Sequence, residues 1–170
     1  MGKWVDKRGP IEADTIYAND KLCAQDASVT LPEVTFLTAD INAMGTMSIP
    51  LMTAIDDMEM TITKVGVDKN MTILTSPGKK RVEVRWVQDK IKSDATISGE
   101  GCKAFLTVSP VTLHPGASIE IGSASENDLT YKVFRYKLVV GGKTILLVDR
   151  LAHKLVVNGK DYSKTFDSLL

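Results

Sequence analysis

The chain is 170 residues long and 44% hydrophobic, enough for one domain that buries roughly 70% of the surface its unfolded form exposes. Lys plus Arg number 21 and Asp plus Glu number 21, a balance that excludes the basic footprint of a dedicated nucleic-acid binder. Cys23 and Cys102 lack metal or redox spacing and fit reduced thiols, with a disulfide between them left open.

From the first residue, Met1 to Arg8 contain no apolar run of the kind a signal peptide or membrane helix requires, so folding in a cytoplasm is expected. Met1-Gly2 opens an acylation motif, but Asp6 stands where that motif wants Ser or Thr, and it is discounted. Residues 1–13 or so read as an N-terminal extension. Ile16-Tyr17 and Lys21-Leu22 flank Asn19-Asp20, a short hairpin signal. Asp57 to Lys64 alternates with period two, placing Met58, Met60 and Ile62 on one face against Glu59, Thr61 and Thr63 on the other. Asp68 is placed to cap a short helix through Met71 to Leu74, ended by Pro77-Gly78. Lys80 to Gln88 alternates again, with Val82, Val84 and Trp86 facing one way. Leu129 to Val140 and Lys143 to Val148 are joined by Gly141-Gly142, a second hairpin, and Leu155 to Val157 runs into a third turn at Asn158-Gly159. Residues from about 162 to 170 form a C-terminal tail. The expected fold is mainly β: one domain, an antiparallel sandwich or barrel with one or two short helices and an extended β-hairpin or arm.

No residue set points to chemistry. Gly142-Lys143-Thr144 resembles the end of a phosphate-binding loop, but Lys137 occupies the position of its first glycine, and the turn joins two strands instead of feeding a helix. His114 and His153 lack partners at metal-ligand spacing; Asp149 precedes His153 by four, too far for shared chelation along a strand. There is no Gly-x-Ser-x-Gly elbow. Lys79 to Arg81, Arg85, Trp86, Lys90 and Lys92 mix basic and aromatic residues as single-strand binders do. Trp86, however, shares the apolar face, so a solvated strand is the better reading. Asp56, Asp57 and Glu59 read as surface charge. No catalytic, cofactor or metal residue is expected, and the chain is read as a non-enzyme.

The methionines are more informative. All but Met1 fall between Met44 and Met71, and Ile41 to Met52 is apolar yet broken by Gly45 and Pro50. Such an arm must be covered, either by its own core or by a neighbouring subunit. Ile41, Met44, Met47, Ile49, Leu51 and Met52 are the candidate contact residues.

The ordered set of Leu129 to Leu138, the Gly141-Gly142 turn, Lys143 to Asp149 and Val157 to Asp161 resembles the phage major tail tube proteins of contractile tails. Ser28 to Val34 and Gly45 to Leu51 leading into Asp56-Asp57 add to the likeness, which covers most of residues 14–161; Lys90 to Gly122 matches only loosely. The resemblance implies a β-sandwich or barrel that forms stacked hexameric rings, the inner tube of a contractile tail or R-type bacteriocin and a conduit for DNA or ions. It implies itself, sheath protein, baseplate and tail terminator as partners, transient DNA passage without specific binding, no stable membrane association and no cofactor. The location implied is a virion tail or extracellular phage-tail-like particle assembled in the host bacterial cytoplasm. Within that frame Glu59, Thr61 and Thr63 are the expected lumen face. The alternatives are a soluble β-sandwich ligand-binding module and an OB-like single-stranded nucleic-acid binder.

Overall fold

Most of the longer strands form where apolar residues recur at every second position, and several stop where a residue takes positive φ, as at Asn19, Asp26, Gly66, Gly141 and Asn158. The computed structural model describes residues 3–170, so the discounted motif at Met1-Gly2 lies outside the described residues. Twelve strands and two short helices follow in chain order: β1 (Lys7–Ala18), β2 (Lys21–Gln25), β3 (Ser28–Thr30), β4 (Phe36–Asn42), β5 (Thr46–Ile55), β6 (Met58–Val65), α1 (Met71–Thr75), β7 (Lys80–Ile91), β8 (Ile97–Pro110), β9 (Glu126–Val140), β10 (Lys143–Asp149), β11 (Lys154–Val157), β12 (Lys160–Asp161) and α2 (Ser163–Asp167). Of the expected N-terminal extension, residues 7–13 form the first half of β1 and pair with β7. The C-terminal tail contains α2.

Three expected hairpins are present. Asn19 and Asp20 (φ 48° and 68°), Gly141 and Gly142 (56° and 81°), and Asn158 and Gly159 (54° and 84°) each supply two consecutive left-handed residues. That geometry matches the right-handed twist of the flanking strands. The sheet runs β12-β11-β10-β9-β8-β7-β1-β2, with all the pairings antiparallel.

The fold turns on β9. One edge pairs with β8 over Tyr131–Val140. The other is divided: Glu126–Val133 bonds to β6, and Arg135–Val140 bonds to β10. A bulge at Phe134 shifts the inward parity from Leu129, Tyr131 and Val133 to Tyr136. There the sheet parts, and β6 with its partner β3 forms a second layer. The result is a sandwich-like fold whose sheet does not close on itself. Met58, Met60 and Ile62 from one layer meet Val82, Val84, Ala104, Leu106 and Val108 from the other in a single core.

Two polar details hold the closed end. Lys64 lies on the buried side of β6, and its Nζ donates to the Cys23 carbonyl (3.1 Å) and the Asp68 carboxylate (2.7 Å). Asp68 also accepts from the amides of Asn70 (2.9 Å) and Met71 (3.2 Å) just ahead of α1, but the N-cap position itself is Asn70, two residues beyond the expected cap and without a side-chain cap bond. At the other end of that helix the Tyr131 hydroxyl donates to the Leu74 carbonyl (2.9 Å). Cys23 and Cys102 are both free and buried.

Candidate assembly surfaces

The arm is a separate two-stranded sheet, β4 and β5. Its turn is made by Met44 (φ 55°) and Gly45 (φ 124°), a conformation glycine adopts without penalty. Register pairs Asn42 with Thr46, Ile41 with Met47, Asp40 with Ser48, Ala39 with Ile49 and Thr38 with Pro50. Opposed residues share a face, so Ala39, Ile41, Met47 and Ile49 form an apolar face, which Leu37 and Leu51 extend by alternation. Thr38, Asp40, Asn42, Thr46 and Ser48 form a polar one, laced by the Ser48 hydroxyl donating to Asp40 (2.5 Å).

No part of the described chain covers that apolar face. Ile41 (45%), Met47 (46%), Ile49 (38%) and Leu51 (39%) are exposed, and Met44 stands fully in solvent at the tip. Met52 has the opposite parity from Met47 and Leu51. It lines a cleft of about 550 Å³ with Ile55, Leu155, Phe166 and Leu169, where α2 meets the arm's root. Five of the six arm residues singled out from sequence therefore lie on the apolar face or the tip, and Met52 lies apart at the root. A two-stranded sheet alone is marginal in water, and a contiguous exposed apolar face is the kind of surface that monomers rarely leave bare.

Glu59, Thr61 and Thr63 lie together on the outer face of β6. Register sets Ser28 and Thr30 of β3 on one side and Asp128, Thr130 and Lys132 of β9 on the other. Lys132 stands opposite Glu59 and donates to Glu59 (2.8 Å) and to Asp57 (2.7 Å); Arg150 reaches Asp57 at 3.4 Å. Hydrogen bonding to Asp57 and then Glu59 pushes the Lys132 ammonium pKa up, and the same contact holds Asp57 below the usual carboxylate range. Thr63 donates to Asp128 (2.7 Å). The face is polar, internally paired and close to neutral.

Beyond the core lies the outer face of β7, β8 and β9. Register brings Arg81 beside Thr107 and Arg135, Glu83 beside Phe105 and Lys137, and Arg85 beside Lys103. The Arg85 guanidinium lies 4.4 Å from the Tyr17 ring centroid, and the Lys137 ammonium 5.6 Å from that of Phe105. Trp86 points the other way, packed partly buried on the core, as its parity predicts. Reading β7 alone missed that Lys103, Arg135 and Lys137 extend its basic residues into a patch. The alternation Cys102-x-Ala104-x-Leu106-x-Val108, all four buried, was the signal that could have placed them.

Strand edges also stay open: among the described residues β2, β3 and β12 each pair on one side only. No group of three or more His, Cys, Asp or Glu among those residues is placed to hold a metal ion, and no helix is long and apolar enough to cross a membrane.

The family profile described as phage tail tube protein FII matches residues 11–169. No curated protein matches the chain. Among solved structures, the chain is similar to one in the cryo-EM structure of an extracellular contractile injection system, the PVC sheath-tube complex in its extended state. The TM-score is 0.53 at 13% identity, covering 76% of this chain and 90% of that one. It is likewise similar to a chain of the PVC sheath/tube terminator in the extended state, with TM-score 0.52, 12% identity, and coverage of 76% and 95%. At such identities the likeness is one of fold.

Proposed function

The chain belongs to the phage tail tube protein FII family, a family of structural proteins and not of enzymes, and from that premise we propose that it polymerises as stacked hexameric rings. The rings build the inner tube of a contractile tail or phage-tail-like particle, a conduit for DNA or ions. The observation that carries this reading is the β4–β5 arm, an amphipathic hairpin whose apolar face the monomer leaves bare. Contact through Ile41, Met44, Met47, Ile49 and Leu51 of the arm would cover that face with a neighbouring copy, with Met52 seated at the root.

Ring closure also answers the open edges, since strands left unpaired invite pairing with another chain and a closed barrel has none. If β3, β4, β5 and β6 enter the wall, six copies give a barrel of about two dozen strands, wide enough for duplex DNA. Glu59, Thr61 and Thr63 are then the lumen residues. Their pairing with Lys132 and Asp128 leaves little free positive charge, as transient passage of DNA requires, because every phosphate neutralised by Lys or Arg adds affinity. The basic outer face of β7–β9, on the far side of the core, is the side that meets the sheath. Baseplate and terminator take the tube's two ends, and assembly proceeds in the host bacterial cytoplasm.

Size-exclusion chromatography with negative-stain microscopy tests the proposal. Rings or hollow tubes are the expected result. A chain that remains monomeric at the highest soluble concentration overturns it.

A further inference from the structure

A quarter of the chain is charged, yet two exposed stretches are nearly stripped of charge. Between residues 36 and 55, the arm, Asp40 is the single Asp, Glu, Lys or Arg; between 111 and 125, the β8–β9 connection, Glu120 is the single one. Both expose large apolar side chains instead. Ile119 and Ile121 are 94% and 103% exposed, and Val111 and Leu113 also face solvent. Depletion of charge around exposed apolar side chains is the compositional mark of an interface core.

The connection is held in place at both ends and between. The Val111 amide donates to the Thr130 carbonyl (2.9 Å), the Thr112 hydroxyl accepts from the Thr130 amide (3.2 Å), and the Ser125 carbonyl accepts from the Gly66 amide (2.7 Å). Pro115 is buried. Ile119 and Ile121 sit at a turn in which the Ser123 amide donates to the Glu120 carbonyl (3.2 Å). A long connection without regular structure, anchored yet presenting bare isoleucines, is a functional loop by the usual rule for such segments.

Position supplies the partner. The arm roots at the Met58 end of β6, whereas the 111–125 loop leaves the sheet beside Thr130, opposite Thr61 in mid-strand, and returns at Gly66, just past the Val65 end. The return point lies about 23 Å along the strand from the arm's root, so the two charge-poor surfaces are distinct and rooted at different places along one strand. Contact between two different surfaces is head-to-tail, the kind that continues from copy to copy instead of closing on a pair.

We propose that the 111–125 loop receives the arm of a second copy of this chain, Ile119 and Ile121 packing on the Ile41, Met47 and Ile49 face. The inference rests on the tube reading and names which surface covers the arm.

Two measurements test it on the full chain. Met47→Cys chains are mixed with Ile121→Cys chains and oxidised; an inter-chain disulfide forms in the mixture and in neither variant alone. Homodimers bridged through position 47 alone or 121 alone show a symmetric contact and overturn the proposal. Separately, Ile119→Asp with Ile121→Asp, on side chains that touch little of their own fold, leaves the circular dichroism spectrum unchanged and raises the concentration needed for tubes at least tenfold. Tubes from that double variant at the wild-type concentration overturn the inference and leave the tube reading standing. A wild-type chain that never assembles overturns both.

Discussion

Met58 and Met60 are sealed in the core, whereas Met44 and Met47 lie in solvent on the arm, although all four come from one methionine-rich run. Period and packing divide them: Met58 and Met60 alternate with polar residues on a strand whose inner face packs on β7 and β8, while the arm has no covering layer. Truncation therefore reads differently at each. Met58→Ala leaves a cavity and is expected to cost about 3 kcal/mol of monomer stability. Met47→Ala is expected to change it by less than about 0.5 kcal/mol. Urea midpoints on unassembled protein decide, and equal costs would place the arm in the core. Tyrosines give a second test. Tyr131→Phe leaves the Leu74 carbonyl at the end of α1 without its donor, an expected loss of about 1 kcal/mol. Burial raises the Tyr136 phenol from its usual 10.0 to about 12. The unfolded chain gives up that proton first, so stability falls as pH rises between those values. Tyr136→Phe is expected to flatten the fall in urea midpoint between about pH 10 and about pH 12; an unchanged slope would refute the assignment.

At the scale of elements, the hairpins were legible because their signal is local. Asn19-Asp20, Gly141-Gly142 and Asn158-Gly159 tolerate positive φ, and each stands between runs that alternate. The arm was legible as an apolar segment but not as an amphipathic ribbon. Pro50 looked like a break, yet it sits within β5 opposite Thr38, because a two-stranded ribbon has a free edge where a missing N–H costs nothing. More escaped, and the whole of β8 most plainly, since residues 90–122 offered no assignable element. The first half of β8 carries Gly99 and Gly101 in place of β-branched residues, and the charged first half of β1 is held by β7 and by the Arg8–Glu100 pair (3.0 Å) across 92 residues of sequence. Neither dependence is visible in a local window. The uncovered ribbon yields the prediction proper to this scale. Met47→Asp with Leu51→Asp adds charge to a face that is wet in the monomer and, in the proposed tube, covered by a neighbour. The expected outcome is a monomer with unchanged far-ultraviolet circular dichroism and no tubes by microscopy. Global unfolding would mean the hairpin packs on its own core.

For the whole molecule, zero net charge and a bare arm are hard to reconcile with a free-living monomer, since charge is what keeps such surfaces apart in solution. Assembly resolves the conflict, and it has a thermodynamic signature separate from any image. If folding and association are linked, the folded state gains by mass action whatever the contacts supply. Each tenfold rise in concentration then adds about 1.4 kcal/mol of apparent stability, which for a domain of this size moves the midpoint by about 4 °C. Thermal unfolding followed over two decades of concentration should show that climb in the wild type. In the Met47→Asp, Leu51→Asp variant the midpoint should stay level, because its monomer has the same core and no partner. A level midpoint in both chains would show that the domain folds and persists without association, and the arm would then need another explanation. A parallel climb in both would place the self-contact elsewhere, at the strand edges β2, β3 and β12 that the monomer leaves open.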